Sequence, residues 1–335
     1  MPLISLTSGR QFQAEPNENL LDAGLRGGVS LAYSCRTGRC STCKARVVTG
    51  QTAPLVAETG LPEEEGADGW ILTCARAAAT DLTLDVEDLT DLQLAAPRTL
   101  PCRIQAIEFL KTDVVRVALR LPPQTAFEYR AGQYVEIIGP GGVRRSYSVA
   151  NAPAPGAPLE FHIQRVDGGV MSNYWFGQAS VNDLLRLYGP LGTFVLRDLA
   201  GKDLICLATG TGLAPIKAML EELKTLPPHQ RPRKTLVFWG VREEADHYLK
   251  LPEQFGAEQP GVEVIPVLSR AGDNWAGAKG YVQDVLLARS ADLSHATVYA
   301  CGSDAMITGA RKRLLEAGLP ERAFRSDAFV CSAKP

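Results

Sequence analysis

The sequence predicts a multidomain chain: a small domain of strands and one helix, then an antiparallel β-barrel, then a doubly wound α/β domain. Three observations carry this. The 335 residues exceed what a single hydrophobic core usually serves. Residues 102–198 hold short strand-like runs punctuated by glycine and proline clusters, the pattern of an antiparallel barrel. From residue 203 onward, fully apolar runs alternate with helical spacing, the pattern of buried parallel strands between helices.

In residues 1–94, Ile4-Ser5-Leu6 and Phe12 read as short strands. Asn17 is placed to cap a helix that begins at Glu18 and runs through Leu20, Leu21 and Leu25 to Gly27-Gly28. Residues 44–48 and 82–86 alternate as strands do. Between them stand Cys35, Cys40 and Cys43, with Cys74 further on. The spacing C-x4-C-x2-C followed by a distant cysteine is the plant-type [2Fe–2S] pattern. Two irons bridged by two sulfides need four thiolates, and three of them here come from one tight loop. Gly38 allows a positive φ in that loop. Ser41 and Thr42 are small enough to let backbone N–H groups reach the sulfurs, which tunes the potential. A structural zinc site more often uses paired C-x2-C knuckles, and only one such pair is present. Disulfides fit poorly with a chain that shows no secretory signal. The element order resembles the β-grasp fold of plant-type ferredoxins.

Residues 95–101, with prolines at 97 and 101, read as a stiff linker. In the barrel region, 102–198, strands are predicted at 114–121, 134–138, 147–149, 159–164 and 184–187. Arg145-Ser146-Tyr147-Ser148 closes a loop containing Gly139, Gly141 and Gly142. The guanidinium suits a phosphate, the Tyr147 ring suits the face of a flavin, and Ser148 suits its N5 edge. Taken alone, the motif also fits an ordinary strand. Phe161-His162-Ile163-Gln164-Arg165 follows, then Gly168-Gly169-Val170-Met171-Ser172, where a Gly-Gly turn opens a helix with free N–H donors. Together these resemble the ferredoxin–NADP reductase superfamily, whose flavin motif looks like RxYS followed by a glycine-containing phosphate loop. The resemblance implies FAD and carries over Arg145, Tyr147, Ser148, His162, Gly169, Val170 and Ser172 as flavin contacts. The domain order does not match the sister arrangement with FMN and a C-terminal cluster.

Residues 199–335 form the predicted NAD(P)-binding α/β domain. Strands are expected at 204–208, 236–239, 262–268 and 297–300, and a helix at 213–226. Thr209-Gly210-Thr211-Gly212-Leu213-Ala214-Pro215 follows a buried strand and opens a helix, so its glycines let the backbone approach a dinucleotide pyrophosphate. Pro215 replaces the third glycine of the usual fingerprint, which a first helical turn tolerates. The departure resembles the superfamily motif G-T-G-x-x-P. Tyr299-Ala300-Cys301-Gly302 with Met306 is similar to its second nucleotide signature, in which Cys301 faces the nicotinamide; by itself Cys301 reads as a strand-end core thiol. Ser326-Asp327-Ala328-Phe329 also resembles the family ending. Phe329 there either covers the flavin ring or plugs the core. Ser269-Arg270 with Tyr281 resembles the 2′-phosphate pocket of NADPH-using relatives. Glu243, Glu244 and Asp246 follow a strand where carboxylates favour the 2′-OH of NADH. Either nucleotide fits, with NADH favoured.

A net charge of −2 argues against a nucleic-acid partner. The charge is uneven: residues 1–95 carry 13 acidic and 7 basic side chains, the remainder 24 and 28. An acidic first domain beside a mildly basic body would steer docking, and an acidic solvated surface accounts for it equally. No apolar run reaches bilayer length, so no membrane partner is expected. The N-terminus, Met1-Pro2-Leu3-Ile4-Ser5, lacks a charged n-region and an h-region, and a cytoplasmic location follows as the expectation. Cys102, Cys206 and Cys331 are scattered without metal-ligand spacing, and Cys206 reads as a buried small hydrophobe.

The resemblance covers essentially the whole chain, and is to three-domain flavin/iron–sulfur reductases of the benzoate-dioxygenase-reductase type. It implies an NAD(P)H-dependent reductase that passes electrons through FAD and a [2Fe–2S] cluster to a protein partner. The cofactors carry the chemistry, so no acid–base or nucleophilic residue is assigned. The partner implied first is the oxygenase component of a Rieske ring-hydroxylating or demethylating system. Trp275-Ala276-Gly277-Ala278-Lys279-Gly280-Tyr281-Val282 and the 326–329 ending also resemble CDP-6-deoxy-glucoseen reductases, which serve a sugar dehydrase. A redox carrier or sensor module is the third reading. Arg36 and Arg39, inside the cysteine loop, are the first candidates for partner docking.

Overall fold

The computed structural model describes residues 1–256, 261–289 and 292–329; Cys331 lies outside the described residues. The described chain divides into two compact units, residues 1–95 with 192–194, and residues 96–191 with 195–329.

The first unit contains β1 (Leu3–Leu6), β2 (Gln11–Gln13), α1 (Leu20–Arg26), β3 (Lys44–Thr49), β4 (Thr52–Pro54), α2 (Glu63–Ala67), β5 (Trp70–Leu72), β6 (Arg76–Ala78) and β7 (Leu82–Asp85). Its main sheet has the order β2-β1-β7-β3-β5. Only β1 and β7 run parallel. Alternation puts Ile4, Leu6, Leu82 and Leu84 in one core, on which α1 lays Leu20, Leu21 and Ala23. This is the β-grasp arrangement. The helix starts later than the sequence predicts. Asn19, not Asn17, is the cap, its side chain accepting from the Asp22 N–H at 2.8 Å. Asn17 takes a positive φ of 59° in the preceding turn, and the Glu18 carboxylate pairs with Arg26 at 2.6 Å.

The second unit opens with a barrel of six antiparallel strands: β8 (Arg98–Lys111), β9 (Val114–Arg120), β10 (Tyr134–Ile138), β11 (Arg144–Ser148), β12 (Leu159–Gln164) and β13 (Leu184–Leu191), with the one-turn α3 (Val170–Asn173) before β13. Their order is β11-β10-β13-β8-β9-β12. Just past β11, the Ala150 N–H donates to Glu160 O of β12 at 2.8 Å and joins the two ends of the sheet. Arg98–Pro101, expected as linker, is instead the start of β8 and pairs with β13. Pro101 is tolerated because β9 joins β8 only from Arg103, so the missing N–H falls on an unpaired side. Leu159, Phe161 and Ile163 of β12 face the barrel core, which sends Glu160, His162 and Gln164 to the other side.

The same unit continues into a fully parallel sheet. Its elements are β14 (Asp203–Thr209), α4 (Leu213–Thr225), β15 (Lys234–Val241), β16 (Val262–Leu268), β17 (Ala278–Lys279), α5 (Val282–Arg289), β18 (Ala296–Gly302), α6 (Asp304–Glu316) and β19 (Phe324–Ala328). The order is β17-β16-β15-β14-β18-β19. The chain winds outward from β14 through β16, then returns to the opposite side for β18. The switch point therefore lies between the carboxyl ends of β14 and β18, where open α/β sheets bind ligands. Among the described residues, no helix is long and apolar enough to cross a membrane.

Candidate functional site

In the first unit, Cys40, Cys43 and Cys74 are buried and Cys35 is half-buried. The Cys43 and Cys74 sulfurs stand 3.3 Å apart, well beyond the ~2.05 Å of a disulfide. The Cys35 N–H donates to the Cys40 sulfur and the Thr37 N–H to the Cys35 sulfur, each at 3.4 Å. The four thiols form two mutually hydrogen-bonded pairs, with Cys35 acting electrostatically on Cys74 and Cys40 on Cys43. A hydrogen bond from Cys40 holds the Cys35 thiol low, and one from Cys43 does the same for Cys74. The same bonds push Cys40 and Cys43 up. Four clustered sulfurs, two of them shifted towards thiolate and two receiving backbone N–H donors, fit the ligand set of a [2Fe–2S] centre.

The loop that carries them is shaped by glycines on both sides. Gly38 has φ +72°, and a Cβ there would lie 2.4 Å from Ala57 O. Gly60, which sequence reasoning missed, has no room for a side chain either: a Cβ would lie 2.3 Å from Arg39 O. Its N–H donates to Gly38 O at 2.9 Å. Glu58 holds this second loop by accepting from the Leu72 N–H and from Arg76 Nε, both at 2.7 Å. Arg36 and Ser41 also take positive φ, 58° and 57°, a conformation that costs non-glycine residues about 1–3 kcal/mol. Arg36 is engaged within the unit, pairing with Asp22 and lying 5.6 Å over the Tyr33 ring. Arg39 is half-buried.

In the second unit, Arg145 donates one N–H to Arg144 O at 2.7 Å; it is half-buried on β11 and, among the described residues, makes no ion pair. Tyr147 is oriented by the Trp175 Nε1–H, which donates to its hydroxyl at 3.0 Å, with the rings edge to face at 6.2 Å. Burial raises that hydroxyl to about 12. Ser148, at the end of β11, is buried, and its hydroxyl makes a long 3.4 Å hydrogen bond to Asp327 of β19. Gly168 takes φ +71° and Gly169 caps α3. The Ser172 hydroxyl accepts from the Val166 N–H at 2.9 Å and closes the loop, and Val170 is exposed. The first N–H groups of α3 have no acceptor inside the helix. A guanidinium without an ion pair, free N–H groups and an oriented aromatic ring fit a phosphate-bearing flavin. His162 is placed differently. Its buried ring makes 2.8 Å with Glu160 through Nε2 and 3.1 Å with the Tyr248 hydroxyl through Nδ1. Both nitrogens are engaged within the fold.

At the switch point, Gly210 has φ +52° and a Cβ there would lie 3.6 Å from Gln164 Oε1, an ordinary contact, whereas a Cβ on Gly212 would lie 2.3 Å from Cys301 O. Gly302, at φ +138°, would place a Cβ 2.1 Å from Thr209 Oγ1. Gly212 and Gly302 thus let the two signature loops interlock, and Gly210 is the least crowded of the three. Thr211 is buried, and Pro215 sits in the first turn of α4. Cys301 is fully buried beside Asp327, and burial pushes its thiol well up. Phe329 is 38 % exposed, its N–H donating to Gly302 O at 2.8 Å, so it does not plug the core.

Ser269 and Arg270 are exposed at the carboxyl end of β16. Glu243 and Asp246 cap each other's backbone, and Asp246 pairs with Lys111 at 2.5 Å. Two of the three carboxylates behind the NADH reading are therefore engaged locally. Asp327, Trp239 and Tyr248 complete the neighbourhood. Trp239 Nε1–H donates to Gly210 O at 3.0 Å. None of the three stands out by spacing, because their partners lie far away in sequence.

Residues 4–79 match the family described as the 2Fe-2S iron-sulfur cluster binding domain, 101–196 the oxidoreductase FAD-binding domain, and 206–312 the oxidoreductase NAD-binding domain. The chain is 39 % identical over 325 residues to the CDP-6-deoxy-L-threo-D-glycero-4-hexulose-3-dehydrase reductase of Yersinia pestis, covering 97 % of both chains. It is 34 % identical over 334 residues to the reductase subunit of an aromatic O-demethylase from Amycolatopsis, covering 96 % of this chain and 97 % of that one. Among solved structures, an Amycolatopsis cytochrome P450 reductase superposes with a TM-score of 0.74 at 31 % identity, covering 98 % of this chain and 99 % of that one.

Proposed function

The chain belongs to the ferredoxin–NADP reductase superfamily, with the additional N-terminal [2Fe–2S] domain, and on that premise we propose that it is the electron donor to a sugar-nucleotide dehydrase. It is an oxidoreductase whose electrons leave to a protein acceptor. When bound, NAD(P)H, FAD and the [2Fe–2S] cluster supply two-electron entry, its division into single electrons, and single-electron exit. In this reading Cys35, Cys40, Cys43 and Cys74 hold the cluster. Arg145 and the α3 N–H groups hold flavin phosphate, and Tyr147 lines the ring. Gly210 and Thr211 receive the nucleotide, while Gly212, Pro215 and Gly302 shape its loop.

The observation that carries the dehydrase reading is the 39 % identity over nearly the full length of both chains. A second reading has its own support: relatives at 30–34 % identity are named as reductase components of aromatic oxygenation and demethylation systems. That support does not favour a Rieske acceptor in particular, since a solved structure similar to this chain is a cytochrome P450 reductase.

Reconstitution separates the readings. The purified protein, supplied with NADH or NADPH, is mixed either with a CDP-hexulose dehydrase and its substrate or with a Rieske oxygenase and an aromatic substrate. Turnover with the dehydrase alone is expected. Turnover only with the oxygenase reverses the order. Running both nucleotides in the same assay assigns the preferred donor, on which Arg270 and Glu244 bear directly.

A further inference from the structure

The side of β12 that faces away from the barrel core carries Glu160, His162 and Gln164 at alternate positions. We propose that Glu160, His162 and Tyr248 form a positioning relay that sets the nucleotide loop against the flavin barrel. The inference rests on the reading of Arg145–Ser148 and Gly210–Gly212 as flavin and nucleotide sites.

The connections are continuous. Gly210 O, in the nucleotide loop, accepts from Trp239 Nε1–H at 3.0 Å. The Trp239 ring meets the Tyr248 ring edge to face at 5.3 Å. The Tyr248 hydroxyl lies 3.1 Å from His162 Nδ1, and His162 Nε2 lies 2.8 Å from Glu160 Oε1. The same oxygen, Glu160 Oε1, also pairs with Lys217 Nζ of α4 at 3.3 Å. Lys217 donates to Ala150 O at 3.1 Å, two residues past Ser148. Both routes thus run between β12 and the nucleotide lobe, one ending on Gly210 and the other beside the flavin strand.

The chemistry of the pairs fixes the tautomer. Burial alone would raise Glu160, but the His162 hydrogen bond and the Lys217 charge outweigh it and hold the carboxyl at about 2. An ionised carboxylate only accepts, so Nε2 carries the proton. Nδ1 is then the lone-pair side and accepts from the Tyr248 hydroxyl. Burial lowers His162, which keeps the ring neutral and this arrangement single-valued. The network leaves both ring nitrogens satisfied and gives His162 a role that flavin binding does not explain. In this reading His162 and Tyr248 are positioning residues that act through Trp239 and Gly210.

Tyr248→Phe keeps the ring against Trp239 and removes only the donated proton. In this variant, FAD content and cluster absorption are expected to match the wild type. The limiting rate of flavin bleaching at saturating NAD(P)H is expected to fall by about tenfold, with nucleotide Kd unchanged, because small misplacements at a reacting pair are costly. A second readout does not depend on turnover. In ¹⁵N spectra of the holoprotein at pH 7, His162 is expected as the neutral Nε2–H tautomer, with its Nδ1 resonance shifting in Tyr248→Phe. An Nδ1–H tautomer, an unchanged limiting rate, or a loss residing entirely in Kd would overturn the relay. Should the wild-type flavin fail to be reduced by either nucleotide, the electron-transfer reading falls and the relay with it. Reduction of wild type and variant at equal rates removes the relay alone.

Discussion

Glu160 and His162 tie acid stability to two side chains. Glu160 is held at about 2 against an ordinary 4.5, so its folded form binds a proton less readily than its unfolded form. Its contribution, about 3 kcal/mol by linkage, is complete above pH 4.5 and is lost as pH falls from there towards 2. His162 is lowered from 6.5, mainly by burial. The unfolded chain takes up that proton first, so this second contribution begins to erode below pH 6.5. The two therefore act in the same direction. Urea midpoints measured from pH 7 to pH 2 are expected to fall in two stages. The gap between wild type and Glu160→Gln should be widest near neutrality and close by pH 2; a constant gap would show that Glu160 is not held ionised by its neighbours. Gly302 is a separate case at this scale. Its φ of +138° and the 2.1 Å approach of Thr209 Oγ1 to a would-be Cβ leave no room for Gly302→Ala. That substitution is expected to cost about 3 kcal/mol or more, seen as a lowered melting temperature and lost NAD(P)H reduction, with cluster absorption retained.

Elements differ in how much of them local sequence can show. β16 occupies residues 262–268 as its apolar pattern predicts, and α4 and β14 differ from expectation by a residue or so at their ends. Buried parallel strands and an amphipathic helix announce themselves through periodicity. The iron–sulfur domain was legible for a similar reason, since three cysteines of one loop stand at a fixed spacing. What escaped depends on partners distant in the chain. Arg98–Pro101 becomes strand because β13, more than eighty residues later, pairs with it. Gly60 matters because it presses on Arg39, and Gly212, legible as a loop glycine, has a packing role against Cys301 that spacing does not show. His162 looks like a flavin contact from its motif, but Tyr248 claims its ring. On β11, Arg145 makes no ion pair among the described residues. Arg145→Ala is expected to weaken FAD retention by about tenfold, the loss of a charge-assisted phosphate contact. FAD content after gel filtration measures this directly, and unchanged occupancy would remove the phosphate role.

For the whole molecule, the division of labour between the two units can be tested by removing one ligand. Cys43 is buried, hydrogen-bonded to Cys74, and lies in the unit that contains neither the flavin nor the nucleotide motifs. If Cys43 holds the cluster, Cys43→Ser replaces a thiolate ligand by a hydroxyl, and the visible absorption of the cluster is expected to disappear. The barrel and the α/β sheet make up a separate compact unit with its own core. Flavin reduction by NAD(P)H, followed as bleaching of the flavin band, should therefore proceed at the wild-type rate. A small inorganic oxidant such as ferricyanide reaches the flavin without a protein exit route, and its reduction should survive as well. Reduction of the protein acceptor should fall by orders of magnitude. The three results together identify the cysteine unit as the exit. Retention of the iron–sulfur spectrum would instead remove Cys43 from the ligand set, and acceptor reduction that survived loss of the spectrum would place the exit elsewhere. Residues 1–95 carry a net charge of −6. If the acceptor docks a basic face on that unit, its reduction should also weaken as salt is raised across the range where the Debye length falls from about 30 to 8 Å.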